Sequence, residues 1–455
     1  MAWNIGANDV ANAMGTSVGS GALTLRRAVI LAAILEFAGA FLVGSHVSET
    51  VRKGIVDPAV FSDVQVFIYG MLASLLAAGV WLQIASYFGW PVSTTHSIVG
   101  AIIGFGAVYG GMDAVHWGKV GGIVSSWVIS PVLSATISYL LFRLVLRQIF
   151  YRADPVRAAK RLTPIIVFVV FFTLTLVLFF KGLKNLKLDF GPITLTGIAI
   201  AVGGVAAGVA RALTAKIRLD PKVEEPAADE AVIASLDRAA RHLIRARTAA
   251  RGEIREQANQ ALKDVVSMAG GARRQYRHGT SSQRYQQVEH IFVYLQIVSA
   301  CLVAFAHGAN DVANSIGPLS AVVQTVRSGA IAVKSDVPLW ALALGGVGIV
   351  AGLATWGWRV METVGKRITE LTPTRGFCAE FGAAITILVA SKAGWPISTT
   401  HTLVGAVLGV GLARGMGALN LNTVRDIVIS WIVTVPAGAT LAVVLFWVLR
   451  SVFGS

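Results

Sequence analysis

The sequence predicts an all-α protein that crosses a membrane many times and is built from two related halves, and three observations carry that prediction. Mean hydropathy is +0.67 and 14% of the 455 residues are charged, whereas a soluble domain carries about a quarter charged residues. Apolar runs recur along the chain, most of them near the roughly 20 residues that a helix needs to cross a bilayer. The chain also repeats itself. Gly6-Ala7-Asn8-Asp9-Val10-Ala11-Asn12 returns as Gly308-Ala309-Asn310-Asp311-Val312-Ala313-Asn314, and Gly89-Trp90-Pro91-Val92-Ser93-Thr94-Thr95-His96 returns as Gly394-Trp395-Pro396-Ile397-Ser398-Thr399-Thr400-His401. The copies keep their order and nearly their spacing, 302 and 305 positions apart. So long a period excludes a solenoid and fits a two-half membrane transporter.

In chain order the apolar runs fall at 27–47, 64–88, 91–110, 119–142, 163–181, 191–210, 289–306, 338–358, 376–392, 395–413 and 424–449, giving about 11–12 membrane segments. Gly, Ala and Ser scattered through them allow close helix packing in lipid. Four parts follow: membrane repeat one (1–150), a connecting helix pair (151–210), a basic loop (211–288) and membrane repeat two (289–455). The block of repeat two is preceded by an apolar helix, 289–306, whereas that of repeat one starts five residues after Met1. The sequence therefore predicts that repeat one lacks its first helix. The Gly-Trp-Pro joint leaves no hydrophilic loop between 64–88 and 91–110, so that pair is two crossings or a re-entrant hairpin. Duplicated polar blocks inside apolar runs favour inverted repeats whose broken or re-entrant helices meet at a midplane site.

The formal net charge of +15 would suggest nucleic acid in a soluble chain, but here the positive-inside rule explains it. Arg143, Arg147, Arg152, Arg157, Lys160 and Arg161 follow one span with Asp154 as the lone acid, and 211–288 holds 15 Lys and Arg against 9 Asp and Glu. Both stretches are expected on the cytoplasmic side of a multi-pass protein of the plasma or inner membrane, and no nucleic acid partner is expected. Ala231 to Met268 reads as one or two amphipathic helices. Cys301 and Cys378 lack partners at metal-ligand spacing and read as buried thiols.

The proline motifs carry anion chemistry. Pro91 ends an incoming helix and Ser93 caps a new one, so first-turn amides and the hydroxyls of Ser93, Thr94 and Thr95 are presented together. A helix start binds oxyanions through its free N–H groups and positive dipole end. Ser398, Thr399 and Thr400 would supply the other half of a cage.

The Asn-Asp blocks carry cation chemistry. An acid inside apolar sequence costs several kcal/mol and marks function. Asp9 and Asp311, flanked by Asn8, Asn12, Asn310 and Asn314 and by carbonyls that Gly6 and Gly308 would free, match the oxygen ligands of a small hard cation such as sodium. Glu36 and Glu380 are further intramembrane acids. Registering Ser48-Glu49-Thr50-Val51 on Met361-Glu362-Thr363-Val364 puts Ile349 opposite Glu36, and counting from the proline motifs puts Leu75 opposite Glu380. Each half is thus expected to contribute one unpaired carboxylate suited to cation or proton coupling, dispensable for the fold. His96, His401 and His307, which faces Ile5 in the other copy, are either site residues or hydrogen-bonded core.

On these blocks the sequence resembles the inorganic phosphate transporter (PiT) family, and the wording of both motifs is more similar to its sodium-dependent symporters than to its proton-coupled members. The resemblance covers nearly the whole chain. It implies import of inorganic phosphate with sodium by alternating access, on inverted repeats, commonly as a homodimer in the bilayer. Asp9, Asp311, Glu36, Glu380, Ser93 and Ser398 match positions the family uses for transport. No cofactor is implied; sodium enters as a co-transported ion. Rival readings are a proton-coupled phosphate or metal-phosphate permease and a sulfate permease. A membrane hydrolase fits poorly, because the histidines lack zinc-ligand spacing and the polar residues are twinned rather than clustered.

Overall fold

The computed structural model describes residues 1–45, 55–57, 60–61, 63–152, 154–181, 191–216, 227–331, 337–366, 371–414 and 421–454. The Ser48 to Val51 stretch used for register lies outside them. Among the described residues the protein is helical, with one isolated antiparallel bridge between Val56 and Val115.

Helices α1 (Ala2–Asn8) and α2 (Val10–Gly19) meet at Asp9, whose backbone stays helical at φ −88°, ψ −28°. Next come α3 (Leu25–Val43) and α4 (Val64–Phe88). The Asp63 carboxylate caps α4 by accepting from the Gln65 N–H at 2.8 Å, and Gly89 ends it in the left-handed conformation, φ 68°, which only glycine adopts freely. Pro91 then forbids continuation, and α5 (Thr94–Gly110) starts afresh. Helix α6 (Trp117–Val145) closes repeat one with a π-turn, Leu146–Phe150. It is followed by the pair α7 (Pro155–Lys181) and α8 (Pro192–Lys216) and by α9 (Ala227–Ala249).

Repeat two opens on α10 (Glu253–Ser328), 76 residues without a break. Residues with helical preference run on past 288/289 into the apolar stretch, so the basic region and the membrane segment share one helix. One expectation is corrected: Gly308 frees no carbonyl, since the Asn310-Asp311 block is continuous helix. After α11 (Leu339–Lys366), the stop and restart of repeat one recurs: α12 (Pro373–Ala393) ends at left-handed Gly394, φ 74°, and α13 (Thr399–Arg414) follows the second Trp-Pro, before α14 (Leu421–Phe453).

Among the described residues, seven helices are long and apolar enough to span a membrane: α4, α6 with its π-turn, α7, α8, the 284–328 part of α10, α11 and α14. Helices α5 and α13, of 17 and 16 residues, reach about 26 Å and fall short of a hydrocarbon core of about 30 Å. Polar groups at their starts therefore lie inside the protein, not at its rim. All three hydroxyl residues of each start are buried.

Packing exchanges partners between the repeats. Helix α5 lies on α14 and its counterpart α13 lies on α6; α3 lies on α10, while its counterpart α11 lies on α1 and α2. The two motif glycines make the second exchange possible. A Cβ on Gly308 would collide with the Glu36 backbone, and one on Gly6 with the Ile349 backbone. This is the packing role that glycine plays wherever helix backbones touch in lipid. Gly6→Ala and Gly308→Ala are each expected to lower stability by about 1–3 kcal/mol through overpacking, read as a loss of detergent-solubilised monodisperse protein. Unchanged elution and melting of both variants would show that the crossing tolerates the extra methyl.

Candidate functional site

The two proline motifs face each other. Ser93 Oγ accepts from the His96 N–H and Ser398 Oγ from the His401 N–H, each at 3.2 Å, so the serines are N-caps whose own hydroxyl protons stay available. The threonines cross between halves. The Thr95 hydroxyl donates to the Ile397 carbonyl at 3.0 Å, and the Thr400 hydroxyl contacts the Val92 carbonyl at 3.2 Å. Each helix start is thus tied to the extended segment that precedes the other.

The aspartates belong to the same site. The Thr399 hydroxyl donates to Asp311 Oδ2 at 2.8 Å within repeat two, and Thr400 Oγ1 lies 3.3 Å from Asp9 Oδ1 across the repeats. Ligand atoms of Asp9, His307 and Asp311 all lie within 4.8 Å of one another, with all three residues buried. Asp9 Oδ2, Asp311 Oδ1, Asn8 Oδ1 and Asn310 Oδ1 are buried oxygens without a hydrogen-bond partner. Buried orphan acceptors of this kind call for a ligand, and an all-oxygen, partly anionic set suits a hard cation. The asparagine amides are already used as donors: Asn8 to Ser86 Oγ at 3.1 Å, Asn310 to Ser391 Oγ at 2.9 Å, and Asn314 to the hydroxyls of Thr94 and Thr95 at 3.2 and 3.1 Å. Asn314 therefore joins the cation block of one half to the anion motif of the other. The side chain of Asn12 lies outside the described residues.

The two glutamates, without acidic counterparts in the other repeat, each find buried partners on other helices. Glu36 Oε2 meets His307 Nδ1 at 2.8 Å, and the other ring nitrogen lies 2.9 Å from Asp311 Oδ2, though out of line for a hydrogen bond. His307 thus stands between an acid of repeat one and the cation block of repeat two. At the equivalent crossing the residues are Ile5 and Ile349, both fully buried. Glu380 sits in a cage of neutral donors: Thr16 at 2.5 Å, Ser17 at 2.7 Å, Gln296 at 3.2 Å and Ser299 at 2.5 Å. Each half-site was invisible in sequence because its partners lie on helices far away along the chain, α2 and α10 for Glu380. Glu380→Gln is expected to lower stability by about 1–3 kcal/mol, because an amide cannot accept from all of these donors. A melting temperature in detergent equal to that of the parent would restore the view of Glu380 as structurally dispensable.

His96 and His401 meet edge to face with ring centroids 4.3 Å apart, and each leans on a tryptophan of the neighbouring helix, Trp127 at 3.7 Å and Trp431 at 3.5 Å. The four rings form one cluster in the first turns of the two helix starts. Sequence reasoning passed over Trp127 and Trp431, and over Ser86 and Ser391. A signal was present, since both pairs recur at nearly the duplication spacing. Cys301 and Cys378 are free thiols, half-buried and buried respectively.

Chemically, the arrangement offers two converging sets: hydroxyls and amides for an oxyanion, and carboxylate and amide oxygens for a cation, sharing Thr399, Thr400 and Asn314. Ser93→Gly and Ser398→Gly separate capping from binding, since glycine keeps most of the cap. Each is expected to weaken oxyanion binding about five- to tenfold, the loss of a donor worth about 1 to 1.5 kcal/mol, with little change in melting. Oxyanion affinity equal to the parent in both would remove the serines from the site.

Residues 5–442 match the family model described as the phosphate transporter family. The chain is 46% identical over 455 residues to inorganic phosphate transporter 2-1, chloroplastic, of Arabidopsis thaliana, covering 99% of this chain and 71% of that protein. A solved structure described as the sodium-dependent phosphate transporter superposes with a TM-score of 0.80 at 37% identity, covering 100% of this chain and 97% of the other.

Proposed function

From the premise that this chain belongs to the phosphate transporter family, and so is a multi-pass membrane transporter and not an enzyme, we propose that it is a symporter that imports inorganic phosphate together with sodium. The observation that carries the reading is the contact of the two sets: the hydroxyls of Thr399 and Thr400 reach the carboxylates of Asp311 and Asp9. A phosphate placed between the helix starts is repelled by both aspartates unless a cation lies between them. Binding of either ion therefore favours the other, which is the thermodynamic requirement of symport. The hard oxygen set supports sodium, as does the name of the structural neighbour.

The swapped packing of α5 on α14 and α13 on α6 supports alternating access: each half of the site is anchored to the opposite repeat, so rocking of one repeat against the other opens the site from one side at a time. The basic ends of α6, α7 and α8 support, by the positive-inside rule, a cytoplasmic side for the 211–288 region in a plasma or inner membrane. A homodimer rests on the family resemblance alone.

The deciding experiment is uptake of labelled phosphate into proteoliposomes under an inward sodium gradient, an equal potassium gradient, or a proton gradient without sodium. Uptake under sodium alone is expected. Uptake that follows the proton gradient and ignores sodium overturns the coupling ion and leaves phosphate transport standing, whereas labelled sulfate carried in preference to phosphate overturns the substrate.

A further inference from the structure

At the basic end of the spans, where the π-turn after α6 meets the start of α7, lies a cavity of about 450 Å³ lined by Arg152, Arg157, Arg161, Asp154, Gln148 and Ile165 among others. Three guanidinium groups thus share it with a single carboxylate. Among the described residues their partners leave charge to spare: Arg152 donates to the neutral amide of Gln148 at 2.7 Å, and Arg157 pairs with the carboxylate of Asp154 at 3.4 Å. The pocket also sits over the first turn of α7, the end of a helix that favours anions.

What lies next to the pocket decides the kind of anion. Ile165 and Val169 continue down α7 from Arg161 at helical spacing and are exposed, and Leu144 and Leu140 lead down α6 from Gln148 and are exposed as well. Only about 28% of each of these two spans is buried within the protein, so the two stripes face lipid. Tyr151, next to Arg152 in the chain, is exposed, as suits a tyrosine at the headgroup level. A basic pocket that opens onto an apolar wall matches a ligand with a phosphate at one end and an acyl chain at the other. A second copy of the chain would instead bring like charges together.

The geometry points to a binding site for an anionic phospholipid of the cytoplasmic leaflet, its phosphate held by Arg152, Arg157 and Arg161 and its chain lying along Ile165, Val169 and Leu144. Basic pockets at this depth bind acidic headgroups, each nearby cation contributing about fivefold in affinity. The site lies at the start of α7 and shares no residue with the paired helix starts of the proposed transport site.

The test is lipid retention by the purified full-length protein, read by native mass spectrometry after addition of dioleoyl phosphatidylglycerol, dioleoyl phosphatidylcholine, or phosphatidylglycerol with excess inorganic phosphate. The glycerol lipid is expected to be retained at least about fivefold better than the choline lipid, with inorganic phosphate failing to displace it. The Arg157→Gln/Arg161→Gln variant is expected to lose about 25-fold of that retention, while Arg245→Gln on α9 loses none. Equal retention of the two lipids by the parent protein overturns the site without reference to any variant. Displacement by inorganic phosphate converts it to a free-ion site, and dimerisation lost in the double variant would make it a protein interface; either result overturns the lipid assignment.

Discussion

Replacing Glu36 by isoleucine is expected to destabilise the protein by about 3 kcal/mol, and adding His307→Ile is expected to recover most of that loss. The single change leaves a buried imidazole without the carboxylate that meets it at 2.8 Å, and breaking a buried pair from one side costs about 3–5 kcal/mol. The nearby Asp311 oxygen holds the figure to the lower end. The double change reproduces the other half of the molecule, where Ile349 and Ile5 occupy the equivalent crossing and are fully buried, and exchange of a buried pair for fitted apolar side chains is often neutral. A double-mutant cycle on melting in detergent checks it: a coupling of at least about 1.5 kcal/mol is expected, and additive losses would refute the pairing. The same double variant separates folding from transport. It is expected to be well folded and nearly inactive in phosphate uptake, because it removes the acid that reaches the Asp311 block through His307. Normal uptake would reduce the pair to a packing device.

Asp9→Asn and Asp311→Asn are each expected to weaken sodium binding by about 100-fold or more while leaving a folded protein. Two carboxylates whose ligand atoms lie within 4.8 Å both attract one cation, and at an effective dielectric near 20 a charge about 4 Å away is worth about 4 kcal/mol before reorganisation. The amide keeps the shape and removes the charge. Asp311→Asn is expected to be the more severe, since Asp311 also takes the Thr399 hydroxyl and lies beside His307, whereas Asp9 is held by the longer Thr400 contact. Sodium-dependent thermal stabilisation, compared with potassium, measures both. An unchanged sodium response in the two variants would move the cation elsewhere.

Duplication, the apolar runs and the Gly-Trp-Pro-x-Ser-Thr-Thr-His wording determined by themselves that the chain is a two-half helical membrane protein with paired helix starts. A left-handed glycine, a proline and a capping serine act within a few residues of one another, so their effect is local and legible. They also singled out the acids and amides in apolar sequence as candidates, because such residues cost several kcal/mol there. Only the tertiary structure decided what those residues touch. Gly6 and Gly308 looked like points where the backbone opens, and the structure uses them for helix crossings, since continuous hydrogen bonding along α10 outweighs any local preference to break. Glu36 and Glu380 looked alike and unpaired. One meets a histidine 271 positions away and the other collects donors from α2 and α10. A buried carboxylate takes its energy from whichever donors the fold brings within about 3 Å, and proximity in space between helices hundreds of residues apart has no signature in either helix alone.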